Sequence, residues 1–215
     1  MEKKSHVFFN ILMNNRVNMD MDPLDKQINY IKPDDDYDFH TYRILLLISV
    51  CGNEKTIASN YPVLYGRRKF AFYDFLIRYP FYLEKVLDKK NKNDLIESLE
   101  LKVYEKYEAF SPMIHYLRGP WDNRYDEIFN YMISKKLIQL ELSKVTNSGK
   151  NQFCISLTNL GLEIADKIQQ NEPLWANRMK VINNVFPKNT TNEAIDKFIF
   201  SNFPELILGG INDVY

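Results

Sequence analysis

The sequence predicts a mainly α-helical protein with a small antiparallel β-hairpin or sheet, built as a winged-helix module that helices precede and follow. Three observations predict it. Apolar residues recur at three- and four-residue spacing over residues 72–87 and 125–133. Residues 137–142 instead alternate, residues 152–157 read as the returning strand, and a polar stretch rich in turn formers, residues 144–150, separates them. A further helical pattern starts directly after the returning strand, so strand, helix, strand, turn, strand and helix follow one another from residue 113 to about 169.

Four regions follow from this layout: an N-terminal arm, 1–38; a helical region, 39–110, that packs with the module; the winged-helix module, 111–172; and a C-terminal extension and tail, 173–215. The arm holds a short apolar patch, residues 7–13, followed by polar sequence with Pro23, Pro33 and Asp34-Asp35-Asp36. The three acids read as a solvated turn, because a calcium loop also needs a central Gly and a distal Glu. Residues 39–51, FHTYRILLLISVC, are apolar on every side in their second half, the mark of a helix surrounded by protein. Gly52 follows and suits a left-handed C-terminal position. Residues 53–70 read as a loop. The helical face of Phe72, Phe75, Leu76, Tyr79, Leu83, Val86 and Leu87 comes next, with Pro80 ending or bending the helix near Tyr79. Within it Asp74 and Arg78 stand four apart, as an intrachain ion pair or as a pair shared with a partner. After a basic stretch, residues 88–93, a helical pattern resumes over residues 94–107.

In the module, residues 113–117 suit a first strand that Gly119-Pro120 breaks. Asp122 or Asn123 caps a helix whose stripe is Tyr125, Ile128, Phe129, Met132 and Ile133. The two strands come next, and Thr158 caps the last helix, with Gly161 letting its first turn lie close to the hairpin. The extension reads as a helix over residues 174–186 and a second from Thr191, introduced by the capping-box spacing of Thr190 and Glu193 and ended by Pro204. Residues 206–211 are too apolar for a free end and should dock on this fold or on another subunit.

Composition bounds the function. With 45% hydrophobic and 14% aromatic residues the chain can bury a core, and 28 Lys plus Arg against 28 Asp plus Glu leave no global field toward nucleic acid or anionic lipid. Cys51 and Cys154 sit in apolar runs and read as buried thiols. No run nears the roughly 20 apolar residues of a membrane span, and the N-terminus lacks a cleavage site, so a cytoplasmic, soluble, reduced protein without a membrane partner is expected. Cys51-Gly52-Asn53-Glu54-Lys55-Thr56 only superficially resembles a phosphate loop, since Glu54 replaces the Gly before the Lys. His6, His40 and His115 lack metal-ligand spacing, and no nucleophile elbow is present. No catalytic residue, metal or cofactor is therefore expected, although spatially assembled carboxylates would escape a linear reading. For DNA, Arg124, Lys135 and Lys136 on the module's first helix are offset by Asp126 and Glu127, whereas strong duplex binding uses about 6 to 10 phosphate contacts. Arg67, Arg68, Lys69, Lys144 and Lys150 are the candidates for contact with a DNA backbone.

The strings YRILLLISVCG, FYDFLIRYPFYLEKVL, SPMIHYLRGPWDNRYDEIFNYMISKKLIQLEL and FCISLTNLGLEIA together resemble the small middle subunit of bacterial ABC three-component systems, including the Lamassu anti-phage defence systems. The resemblance covers residues 39–170. It implies a non-catalytic, kleisin-like adaptor on a dimer of an SMC-like coiled-coil ATPase, restraining an effector, commonly a nuclease, until foreign DNA is sensed. DNA itself would be contacted indirectly or weakly. Carried over are Asp74, Arg78, Pro80, Gly119, Pro120, Trp121, Asp122, Arg124 and Tyr125. Trp121, Arg124, Tyr125, Asp74 and Arg78 are the partner-interface candidates it suggests, Trp121 and Arg124 first, because aromatic and Arg anchors dominate interfaces. From the apolar extension come Phe198, Phe203, Leu206 and Leu208. A winged-helix transcription regulator, dimeric through the C-terminal helices, is the competing expectation.

Overall fold

The run that is apolar on every side forms helix α1, Tyr37–Cys51, in a computed structural model that describes residues 35–54, 59–106, 113–144 and 151–207. Expectations for the arm up to residue 34, the start of the module at 111, the wing tip with Lys150, and Leu208 lie outside the described residues. Ile44 to Ile48 are at most 1% exposed, and α1 is packed by helices and sheet on several sides, which a stripe on one face would not allow. The Asp36 side chain accepts from Asp38 N and caps its start. Gly52 departs from expectation: its φ of −74° is extended, and glycine is needed there because a Cβ would overlap Ile48 O and press on the Val63 backbone.

Residues 53–70, expected as a loop, instead supply strand β1, Val63–Tyr65, and the first turn of α2, Arg67–Arg78. Three buried residues are too short a run to show a period, so this strand leaves no pattern in the sequence. Tyr79 separates α2 from α3, Pro80–Lys89, where Pro80 takes the first helical position. Of residues 94–107, expected as helix, those described, up to 106, hold short 3-10 turns instead: Asn93–Leu95, Glu97–Leu99 and Tyr104–Lys106. Strand β2, Ile114–Tyr116, pairs antiparallel with β3, Gly119–Trp121, so Gly119-Pro120 opens a return strand where a break was expected.

Helix α4, Tyr125–Ser134, leads into β4, Ile138–Lys144, and β5, Asn151–Leu157. The sheet order is β1–β5–β4, all antiparallel. Its third strand therefore comes from residues 63–65, while residues 114–116, expected to fill that place, belong to the separate two-stranded hairpin. Helix α5, Asn159–Asn171, is capped by Thr158, whose hydroxyl accepts from Gly161 N and donates to Lys136 O. The module thereby folds its last helix back on the turn between α4 and β4.

The extension gives α6, Pro173–Val185, and α7, Asn192–Asn202, the latter capped by Thr191 through Ala194 N, one residue later than the capping-box spacing suggested. Arg178 of α6 is 1% exposed and ties down the 3-10 segment: Nη1 and Nη2 each donate to Glu105 at 2.8 Å, and Nε donates to Leu99 O. On α7, Phe198 meets Phe72 and Phe186, and Phe203 meets Tyr82. Phe203 and Leu206 are buried against this same chain, so the extension as far as residue 207 docks on its own fold. The described protein is thus mainly helical with a small antiparallel sheet, and none of its described helices is long and apolar enough to cross a membrane.

A methyl group at Gly161 would overlap Leu137 O, so the α5 helix and the α4–β4 turn touch backbone to backbone. Gly161→Ala is expected to destabilise the fold by about 3 kcal/mol, the upper range for overpacking. Urea unfolding followed by circular dichroism measures it, and an unchanged midpoint would show that this contact is slack.

Candidate functional site

Arginine in the middle of an all-buried helix needs a counter-charge, and Arg43 of α1 finds it on α2. Its Nε donates to Asp74 Oδ1 at 2.6 Å and its Nη2 to Asp74 Oδ2 at 3.3 Å, while His40 Nδ1 lies 3.1 Å from Nη2. Asp74 also receives Arg78 Nε at 2.9 Å, one helical turn on, and the Tyr125 hydroxyl at 2.8 Å. Arg78 continues to Asp122 Oδ2 at 2.6 Å, and Asp122 takes the Nε and backbone N of Arg124 at 2.9 and 3.0 Å. Five charged side chains, Arg43, Asp74, Arg78, Asp122 and Arg124, therefore form one line from the central helix, through α2, to the turn that opens α4. Only Arg124, with 26% of its side chain exposed, reaches the surface.

Burial pushes the Asp74 carboxyl up, but the adjoining Arg43 and Arg78 outweigh it and hold the group down at about 2. Asp122 moves in the same direction, burial again being overcome by the hydrogen bond from Arg124 and the charge of Arg78. Burial raises the Tyr125 hydroxyl far above its usual range, and Asp74 adds to the effect, so Tyr125 stays a proton donor. Both carboxylates are held as anions and the tyrosine as a neutral donor throughout the physiological range. Such groups fix geometry; a general acid or base needs a pKa near its working pH.

Arg67 anchors the periphery. Its guanidinium lies 5.2 Å from the Trp121 ring centre and 5.0 Å from that of Phe153, and it pairs with Asp126. Hairpin, sheet and α4 are thereby pinned to the start of α2. Arg68 pairs with Asp196 of α7. Between them opens a cavity of about 410 Å³ lined by Arg67, Arg68, Phe153 and Asn192. Across the exposed face of α4 runs a crossed pair of bonds to α1: Tyr37 donates to Glu127 at 2.7 Å and Tyr131 to Asp38 at 2.5 Å.

These placements sort the residues singled out in the sequence. Asp74 and Arg78 form the intrachain pair and are fully buried, as is Tyr125, so none of the three presents itself to a partner. Phe203 and Leu206 are likewise buried, and Phe198 is half-buried. Trp121 and Arg124 do reach the surface. Among the basic residues, Arg67 and Arg68 are half-buried and paired, and Lys144 is exposed at the end of β4. Lys69 is a correction: it is fully buried, its Nζ donates to Lys188 O at 2.7 Å over the Tyr65 ring, and burial lowers its pKa to about 8. A side chain closed in by Tyr65, Tyr73 and the Lys188 carbonyl has no path to a phosphate. Sequence reasoning missed His40 and Arg43; the signal was the lone Arg in RILLLIS, whose neighbours leave no route to water.

Among the described residues no cluster of three His, Cys, Asp or Glu side chains is placed to hold a metal ion. Comparison with protein-family models, curated proteins and solved structures found no match.

Removing one partner of a buried ion pair costs about 3–5 kcal/mol, so Asp74→Asn is expected to lose that much in urea unfolding at neutral pH. Because the folded pKa of Asp74 is depressed, its contribution is present above the unfolded value near 4 and fades as pH falls toward 2. The native protein should therefore lose stability steeply between about pH 4 and pH 2, and the variant less steeply. Parallel slopes would show that Asp74 carries none of the acid sensitivity.

Proposed function

We propose that this chain is a non-catalytic adaptor, a kleisin-like subunit that sits on an SMC-like ATPase dimer and restrains an effector until foreign DNA is sensed. The reading begins with the element order α1, β1, α2, α4, β4, β5 and the sheet order β1–β5–β4, which we read as a winged-helix plan with residues 79–124 inserted between its second and third helices. On this reading the module starts at the central helix, residue 37, and α4 occupies the place of the helix that reads DNA.

The observation that carries the proposal is the outer face of α4. A reading helix turns Arg, Asn or Gln to the bases and meets a wall of phosphates. Here the exposed positions are Asp126, Glu127, Asn130, Ile133 and Ser134, and the bonds of Tyr37 and Tyr131 lay the start of α1 across part of them. Carboxylates on that face repel a duplex. A transcription regulator is accordingly the weaker reading, and the resemblance to the middle subunit of the ABC three-component systems supports the adaptor. The buried carboxylates support it too, since Asp74, Asp122 and Glu105 are each satisfied by arginine and held low, as structural anions are.

Co-expression with an SMC-like ATPase encoded beside this reading frame should give one complex that co-elutes in size exclusion. No such ATPase in the neighbourhood, or no co-elution, refutes the proposal. In parallel, fluorescence anisotropy of the isolated chain with a labelled duplex of about 30 base pairs at about 0.15 M salt should show no saturable binding up to micromolar protein; tight, salt-sensitive binding would instead establish the regulator.

A further inference from the structure

The hairpin β2–β3 presents an apolar surface that the packing of the described protein leaves open. Its inner strand is anchored: Gly119 and Pro120 are buried, Gly119 lies against Ile199 of α7, and β3 packs on α2. Along its edge the outer strand meets only the single bridge from Tyr116 to Ile207 among the described residues, and its side chains stay in solvent. Ile114, Tyr116 and Leu117 are 44%, 47% and 64% exposed, and the half-buried Trp121, its ring 6.2 Å from that of Tyr116, extends the same surface. Phe200, also largely exposed, stands one turn along α7 from Asp196, the residue that Arg118 approaches to 3.6 Å. Large apolar side chains gathered on a hairpin this firmly held are a mark of a contact surface, since single exposed ones are common but groups of them are not.

Charge identifies what fits. Residues 113–121 contain His115 and Arg118 and no carboxylate. Arg118 has 67% of its side chain in solvent, and Arg124 emerges just beyond the other end of β3. Three acids of the elements around it are engaged, Asp196 with Arg68 and Arg118, Asp126 with Arg67, and Glu205 with the Tyr82 hydroxyl at 3.5 Å, and Glu193 stands near Asp196 on α7. We propose that the hairpin docks an acidic amphipathic segment of a partner protein, its apolar side chains on Ile114, Tyr116 and Leu117 and its carboxylates toward Arg118 and Arg124. This deepens the adaptor reading and rests on it for the existence of a partner. A second copy of this chain fits less well, because two copies face to face would bring Arg118 and Arg124 against cations of the same patch. The anchoring of β3 means that the surface is ordered before binding, so docking costs little conformational entropy on this side.

The test uses the full chain and two labelled peptides of about 18 residues, long enough for a helix, with the same leucine stripe and either Glu or Lys at the remaining positions. Anisotropy should show the acidic peptide bound at least tenfold more tightly than the basic one, a difference of about 1.4 kcal/mol. Leu117→Ser and Arg118→Glu should each weaken it by at least tenfold with unchanged thermal melts, and Arg118→Lys should largely retain it. Equal binding of the two peptides, no binding of either, or variants that bind like the native chain would overturn the proposal. So would dimerisation in sedimentation that Leu117→Ser abolishes, which assigns the hairpin to a second copy. The two readings fail separately. An ATPase complex that survives both variants removes the docking surface alone, and acidic-peptide binding by a chain that joins no ATPase removes the adaptor alone.

Discussion

One carboxylate, Asp74, organises the interior. It accepts from two guanidiniums and a phenol, on α1, on its own helix and at the start of α4, and all of these groups are buried. Taking a carboxylate and two guanidiniums out of water costs several kcal/mol for each ion, and mutual attraction offsets it only where geometry and additional hydrogen bonds are both favourable. The line Arg43–Asp74–Arg78–Asp122–Arg124 alternates in sign at every step, and each of its two carboxylates accepts from two arginines. It thereby ties α1, α2 and the turn into α4 to one another.

From that fixed point the surface features follow. Asp122 ends the hairpin segment and Arg124 opens α4, so the charge line sets where β3 leaves and where α4 begins. Arg67, one turn before Phe70 on the same α2, then clamps Trp121 against Phe153 and takes Asp126. The hairpin is thereby held at its inner strand by packing, at its end by ion pairs and on its aromatic side by a stacked cation. Its outer strand is bridged at Tyr116 to Ile207 but leaves the side chains of Ile114, Tyr116 and Leu117 in water, which is the combination a docking surface needs and a plain loop lacks.

Much of this was legible in the sequence, and the failures have physical causes. The all-round apolar run at residues 44–48 gave a buried helix, the Pro80 break gave the α2–α3 joint, and Thr158 with Gly161 gave the close turn of α5 on the hairpin. The strand Val63–Tyr65 was illegible because three residues show no period and its partner, β5, lies some ninety residues away. The same shortness hid the pairing of Ile114–Tyr116 with Gly119–Trp121. Over residues 94–107 the apolar spacing suited a helix, yet Glu100 takes a left-handed φ of 47° and the Leu99 and Glu100 carbonyls turn to Arg178, so the described part of the run holds 3-10 turns. At the candidate site, the Asp74–Arg78 spacing was readable as a pair, but its extension to Arg43 and Asp122 depends on tertiary placement. Lys69 was misplaced on the surface because Arg67-Arg68-Lys69 reads as one basic cluster; in a helix three successive side chains point 100° apart, so one of them must face inward.

The same geometry separates the readings of function. On the proposed winged-helix reading, α4 is the third helix, the element such modules turn toward a partner. Whether that partner is nucleic acid or protein turns on the sign of the exposed face. Each carboxylate brought to a phosphate adds repulsion where a reader needs several attractions, and the zero net charge of the whole chain supplies no strong compensating field. Asp126 and Glu127 are, moreover, committed: one to Arg67, the other to Tyr37. A duplex laid on α4 would compete with these bonds to α1 and α2. A reader of DNA gains nothing from carboxylates already spent within the chain, whereas an adaptor uses the same bonds to fix α4 against α1 and α2.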